Sequence, residues 1–98
     1  MWIGWIEFDL LLGDVHSLKE KRAVLRPVLA ELRRATEASV AEVGGHDLHR
    51  RAAIGVGIVA SDADRVTEVL DRAERLVAAH PELTLLSARR RLRRSDDD

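Results

Sequence analysis

The sequence has no cysteine, tyrosine, asparagine or glutamine, and only three aromatic side chains. Without cysteine the chain can form no disulfide and can supply no thiolate for catalysis or metal binding. The other absent residue types are ones that often read bases or hold substrates. No apolar run approaches the roughly 20 residues of a membrane-spanning helix. The first residues include Glu7 and Asp9 and do not resemble a signal peptide, so we expect a cytoplasmic protein that does not enter a membrane.

The length and the charge balance limit the classes of protein that remain. Ninety-eight residues are enough for one domain with one modest core. The formal net charge is −1, so the chain as a whole is not a basic nucleic-acid-binding protein. Its cations are fourteen arginines and two lysines. Any attraction for a polyanion must therefore come from the local arrangement of these charges.

Hydrophobic periodicity predicts the element order β-α-β-β-α-β. Residues 2–12 alternate with period two, which indicates a strand with one face in a core. Ser17 and Glu20 form a capping box, which predicts a helix from there to about Thr36, with Pro27 inside it. The later elements are recognised by the same signals: strands at 38–43, at about 50–60 and at 83 to about 92, and a helix between Ser61-Asp62 and His80-Pro81.

This order predicts a ferredoxin-like α+β fold. With right-handed crossovers, two β-α-β units close into a four-stranded antiparallel sheet with both helices on one face. We expect a single domain over residues 1–92 and a disordered, charged tail over residues 93–98.

The second face of such a sheet has no helix to cover it. Alternation places an apolar set on that face, which is a candidate interface: Ile3, Trp5, Leu11 and Val59. One interpretation is a homodimer that packs sheet against sheet. The other is a nucleic-acid platform, because RNA-recognition domains of this topology stack bases on the aromatics of their central strands. The third strand has no aromatic residue, so only Trp5 could stack a base.

The stretch SLKEKR at the start of the first helix is the candidate phosphate-binding site. A helix N-terminus has unpaired N–H groups that favour anions, and here cations accompany them. The candidate residues are Ser17, Lys19, Lys21 and Arg22. A spacing of 100° per residue places Arg22 within the apolar stripe and Lys21 at its edge. The alternative is structural: Arg22 packs its stem under the sheet edge and pairs its guanidinium with Glu7, Asp9 or Glu42.

Other clusters carry weaker signals. Five arginines in residues 88–94 could bind phosphates, or could protect an edge strand from aggregation. His46 and His49 have a ligand-like spacing but no further ligands nearby, so we expect no metal. The two glycine-rich phosphate-binding motifs G-x-x-x-x-G-K-[ST] and G-x-G-x-x-G are both absent from the sequence. Acylphosphatases share the topology, but their characteristic loop and their asparagine are missing, so we expect no enzymatic activity and no cofactor.

Several segments together resemble the YlxP-like family of small uncharacterised bacterial proteins. They are M-x-x-G at residues 1–4, S-L-K-E-K-R at 17–22, S-V-A-E-V at 39–43, D-L-x-R-R-A-x-I-G-V at 47–56 and P-E-L at 81–83. Pro27 and the arginine-rich end depart from the family pattern. The resemblance implies a ferredoxin-like fold and no established activity. Members are often encoded beside translation initiation and ribosome-binding factors, which implies an accessory factor that binds ribosomal RNA or the small ribosomal subunit. The motif places this role on Ser17, Lys19, Lys21 and Arg22.

Overall fold

The computed structural model describes residues 1–97, and Asp98 of the predicted tail lies outside the described residues. The elements follow one another as β1 (Trp2–Leu12), α1 (Leu18–Thr36), β2 (Ser39–Gly44), β3 (Arg51–Ala60), α2 (Ala63–Ala78) and β4 (Leu83–Arg94). The strands form one sheet in the order β2-β3-β1-β4, and all neighbouring strands are antiparallel. The predicted ferredoxin-like α+β fold, with its helices packed on the sheet, is confirmed.

The alternation of β1 sets the two faces of the sheet. Ile6, Phe8, Leu10 and Leu12 are fully buried, whereas the residues between them are only partly buried. The core continues with apolar side chains of the two helices and of β3, which include Leu25, Val28, Leu32, Ile54, Val56, Val66, Leu70, Ala73 and Val77. Burial of this apolar surface is the main stabilising term, so one face of the sheet belongs to the core and the other is left without a covering layer.

Ser17 caps α1 as predicted, whereas Glu20 bonds to the N–H of His16 and not to that of Ser17. The Ser17 hydroxyl accepts a hydrogen bond from the N–H of Glu20 at 3.1 Å. The Glu20 carboxylate in turn accepts one from the N–H of His16 at 3.0 Å. These bonds satisfy N–H groups that have no partner within the helix. Pro27 lies on the exposed side of α1, and the helix continues through it without a break.

Strand β4 extends further than the sequence predicts. Residues 93 and 94 continue the ladder with β1, where Arg93 pairs with Ile3 and Arg94 with Trp2. The guanidinium of Arg94 also lies 5.7 Å from the centre of the Trp2 ring. A pairing partner and an aromatic face therefore hold two residues of the predicted tail in the sheet.

The helices are too short or too polar to cross a bilayer. Within residues 1–97, neither of them contains an apolar window long enough for a membrane span.

Candidate nucleic-acid interface

The start of α1 separates the three cations of SLKEKR. Lys19 and Arg22 are exposed, but the Lys21 side chain is 2% exposed. The prediction that Arg22 interrupts the apolar stripe is wrong. The buried line of the helix runs through Lys21, Leu25, Val28, Leu32 and Thr36. Lys21 therefore occupies the inward position and Arg22 the outward one.

Buried contacts on both sides hold the Lys21 ammonium. Its Nζ donates to the carbonyl of Gly45 at 2.7 Å and lies 2.8 Å from Oε2 of Glu42. A buried charge requires such partners, because the loss of water would otherwise be costly. The ion pair that the sequence suggested for Arg22 is thus formed by Lys21. Since its ammonium is enclosed, Lys21 is not available to a phosphate from outside.

Ser17 is also occupied, since its hydroxyl oxygen caps the helix through the N–H of Glu20. Two cations of SLKEKR remain exposed at this end of α1, and a third exposed cation follows the stretch on the same side of the helix. Lys19, Arg22 and Arg26 are all exposed, and their spacing of three and four residues puts them on one line of the helix. Within residues 1–97, no carboxylate lies within 4.0 Å of any of the three. We call these three residues the α1 basic stripe.

The uncovered sheet face has a mixed character. Ile3 pairs directly with Val59, and Trp5 pairs with Gly57, so the predicted apolar set does share this face. Val59 is 59% exposed. Two acidic residues of β1 lie on the same face: Glu7 contacts Arg89 at 3.1 Å, and Asp9 accepts a hydrogen bond from Ser87 at 2.8 Å. The face is therefore apolar at one end and charged along β4.

The arginines of β4 divide according to their partners. Arg89 pairs with Glu7 and Asp9, and Arg94 pairs with Asp96. On the helix side, Arg90 contacts Asp71 at 2.8 Å and Glu74 at 3.0 Å. Partial burial alone would lower the pKa of Arg90, but the hydrogen bonds and charges of these two carboxylates raise it, so this arginine stays charged.

Arg91 and Arg93 differ from these neighbours. They pair with Trp5 and Ile3, which places both on the uncovered face. No carboxylate among residues 1–97 lies within 4.0 Å of either guanidinium. Two exposed cations thus border the apolar end of the face.

An open cavity of about 700 Å³ lies at this same end of the sheet. Trp5, Gly57 and Val59 of the uncovered face line one side of it. Glu37 after the end of α1 and Arg65 of α2 also line it, so the cavity extends around the edge of β3 towards the helices. The first residue of β2, Ser39, pairs with Gly57 of β3, so residues 58–60 of β3 have no strand partner on that side among residues 1–97. The sequence could not have revealed the cavity, because it forms where β3 extends beyond the first residue of β2, Ser39. Arg26, in contrast, could have been found by extending the helical spacing from Lys19 and Arg22.

The histidines form no recognisable metal centre. Over the described part of the chain, residues 1–97, no group of three or more histidine, aspartate or glutamate side chains is placed to hold a metal ion. His46 and His49 both lie exposed between β2 and β3.

One solved structure similar to this chain is the crystal structure of a mutant of SnoaB, a cofactor-independent oxygenase from Streptomyces nogalater. The match covers 99% of this chain and 95% of the SnoaB chain, at 12% sequence identity and a TM-score of 0.47. That protein is an enzyme, which contradicts the expectation that this chain has no enzymatic activity, and the expectation is withdrawn. A likeness at this level assigns no activity to the present chain.

The sequence comparisons give a family. The "Uncharacterized protein YlxP" of Bacillus subtilis (strain 168) is 32% identical over 81 residues, which is 83% of this chain and 88% of that protein. The family model described as "Protein of unknown function (DUF503)" matches residues 3–90. These matches confirm the resemblance to YlxP-like proteins, and the chain belongs to the family described as DUF503.

Proposed function

We propose that this protein binds the phosphate backbone of RNA through the α1 basic stripe, as an accessory factor of the ribosome in small-subunit maturation or translation. The observation that supports the proposal is the alignment of Lys19, Arg22 and Arg26, exposed and without carboxylate partners among residues 1–97. The original candidate set changes accordingly. Lys21 supports the fold from inside and Ser17 caps the helix, while Arg26 is added.

The spacing of the stripe suits a nucleic-acid backbone. Arg26 lies seven positions after Lys19, which is about 10 Å along a helix axis. Long side chains on this line can each reach a separate phosphate of one strand. Contacts of this kind release counterions and position the ligand, but they do not read bases. The proposed binding is therefore sensitive to salt and tolerant of sequence. The ribosomal setting rests on the gene neighbourhood of YlxP-like proteins.

The direct test is co-sedimentation of tagged protein with ribosomal subunits over a series of salt concentrations. We expect binding that weakens steeply as salt rises, and further weakening in Arg26→Gln. The control is Arg75→Gln, which removes the same charge from an exposed position on α2. Equal binding by the two variants would contradict the proposed site. Lys21 is left unchanged, because its substitution would disturb the fold.

A second candidate is a homodimeric interaction module that uses the uncovered sheet face. Its support is the apolar set Ile3, Trp5, Leu11 and Val59 on that face. Sedimentation analysis of the unaltered chain and of Trp5→Asp tests it. A doubled mass that Trp5→Asp reduces to one chain would support the dimer, whereas an unchanged mass would exclude this interface.

A further inference from the structure

The indole of Trp5 has open space beside it on the uncovered face. Trp5 lies on a central strand and pairs with Gly57 on one side and with Arg91 on the other. A Cβ added to Gly57 would meet only the carbonyl of Gly4, at 3.9 Å. The absence of a side chain at Gly57 thus leaves the ring bordered by the cavity of about 700 Å³. A flat group can lie there against the indole.

The cavity also offers polar groups at its far side. Residues 58–60 of β3 extend beyond the first residue of β2, and their backbone has no strand partner on that side among residues 1–97. N–H and C=O groups along such an edge can pair with a ligand that carries donors and acceptors. A planar, heterocyclic ligand matches an aromatic wall beside a polar backbone edge.

The excess of positive charge on the uncovered face favours a polyanionic ligand over a second copy of this chain. Four arginines lie on the uncovered face: Arg51, Arg89, Arg91 and Arg93. Beside them are the carboxylates of Glu7 and Asp9 on β1, and a third carboxylate, Glu37, lines the cavity. Arg89 already engages Glu7 and Asp9. A second copy of this face would bring like charges together, whereas a polyanion would neutralise Arg91 and Arg93.

From these features we infer that the uncovered face binds single-stranded RNA, with a base stacked on Trp5 in the cavity and phosphates of the same strand on Arg91 and Arg93. Base stacking on aromatics beside a basic groove is a common mode of single-strand binding, and it tolerates any base because each has a π-face. The inference rests on the proposed function, since it takes RNA as the partner, but it uses a different surface from the α1 basic stripe.

The test measures Trp5 directly. The chain has two tryptophans, so a Trp2→Phe background assigns the fluorescence signal to Trp5. A single-stranded oligouridylate of about eight nucleotides is the probe. We expect the probe to quench the Trp5 fluorescence. Because the Trp5 variants lack this signal, their affinities are measured by the anisotropy of a labelled probe, in which Trp5→Leu should weaken binding about tenfold and Trp5→Phe should retain most of it. Thermal unfolding of each variant shows that it is folded. Arg91→Gln with Arg93→Gln should weaken binding at low salt more than Arg75→Gln does.

The outcomes separate the two proposals. Quenching together with the loss in Trp5→Leu supports the base site. Binding without quenching, with equal affinity in Trp5→Leu and Trp5→Phe, overturns the base site. In that case the α1 basic stripe is still supported if the double variant Arg22→Gln with Arg26→Gln weakens binding. No binding of the probe or of ribosomal RNA by the unaltered chain overturns both. The inference is also overturned if the unaltered chain does not bind the probe and has the mass of two chains, and Trp5→Leu reduces this mass to one chain. The uncovered face would then be a homodimer interface.

Discussion

The ammonium of Lys21 and the carboxylate of Glu42 meet at 2.8 Å, and they join the first turn of α1 to strand β2. Lys21 also donates to Gly45, so the same side chain holds the beginning of the loop between β2 and β3. The Glu42 side chain is 22% exposed, so water reaches one end of the pair. The contact fixes the position of the helix whose outer side carries the α1 basic stripe.

This contact predicts a strong coupling between the two residues. Lys21→Met leaves the carboxylate and the Gly45 carbonyl without their partner and should lower the free energy of unfolding by about 2–3 kcal/mol. That is less than the ~3–5 kcal/mol typical of a fully buried pair, because Glu42 keeps some contact with water. Glu42→Leu alone leaves the ammonium without its counter-charge. The double variant should lose less than the sum of the two single changes, as measured by urea denaturation. Additive losses would show that the pair is not coupled.

A second prediction concerns close packing between β1 and α2. A Cβ at Gly4 would overlap Cγ1 of Val66 and lie 3.2 Å from Cδ1 of Leu70. Both side chains are buried and have little room to move. Gly4→Ala should therefore cost about 1–3 kcal/mol in the free energy of unfolding.

The matched control is Gly13→Ala in the turn after β1. No atom lies within 4 Å of the added Cβ, and the backbone there is not left-handed. This change should leave stability the same or raise it by up to about 1 kcal/mol, because alanine restricts the unfolded chain. Thermal unfolding of both variants provides the comparison, and equal stability of the two would contradict the packing argument.

The order of elements was predictable because each has a strong local signal. The alternation of β1 distinguished its two faces, and the capping box at Ser17 fixed the beginning of α1. The sequence did not predict that Lys21, and not Arg22, faces the core. Apolar residues occupy two neighbouring lines of α1, so spacing alone cannot decide whether residue 21 or residue 22 faces the core. The packing of α1 beside β2, which supplies Glu42, makes that decision.

The surfaces proposed for RNA were predictable only in part. Alternation placed Trp5 and Val59 on one face, and this is observed. The cavity depends on where β2 begins relative to β3, which is a tertiary feature and leaves no mark in the periodicity. The separation of β4 arginines into paired and unpaired ones also depends on which acidic residues lie opposite. The sequence shows the cluster, but the packing of α2 and β1 against β4 determines which charges remain available.

Pro27 gives a prediction about α1 itself. It lies in the interior of the helix, where it cannot donate a backbone hydrogen bond and its ring crowds the preceding turn. Its side chain is exposed, so its removal loses little packing. Pro27→Ala should raise the free energy of unfolding by about 1–3 kcal/mol, and the melting temperature should rise by several degrees. Scanning calorimetry checks this, and a lower melting temperature would show that the proline stabilises the fold in another way.

The α1 basic stripe gives a prediction about the salt dependence of binding. For single-stranded nucleic acid, each phosphate contact contributes about 0.7 to the slope of log affinity against log salt concentration. Arg22→Gln with Arg26→Gln removes two contacts, so the magnitude of the slope should fall by about 1.4 for oligouridylate measured between about 50 and 200 mM salt. Arg75→Gln lies on α2, away from the stripe, and should leave the slope unchanged. If the double variant kept the full slope while its affinity fell equally at every salt concentration, the two arginines would act through the fold and not through phosphate contacts.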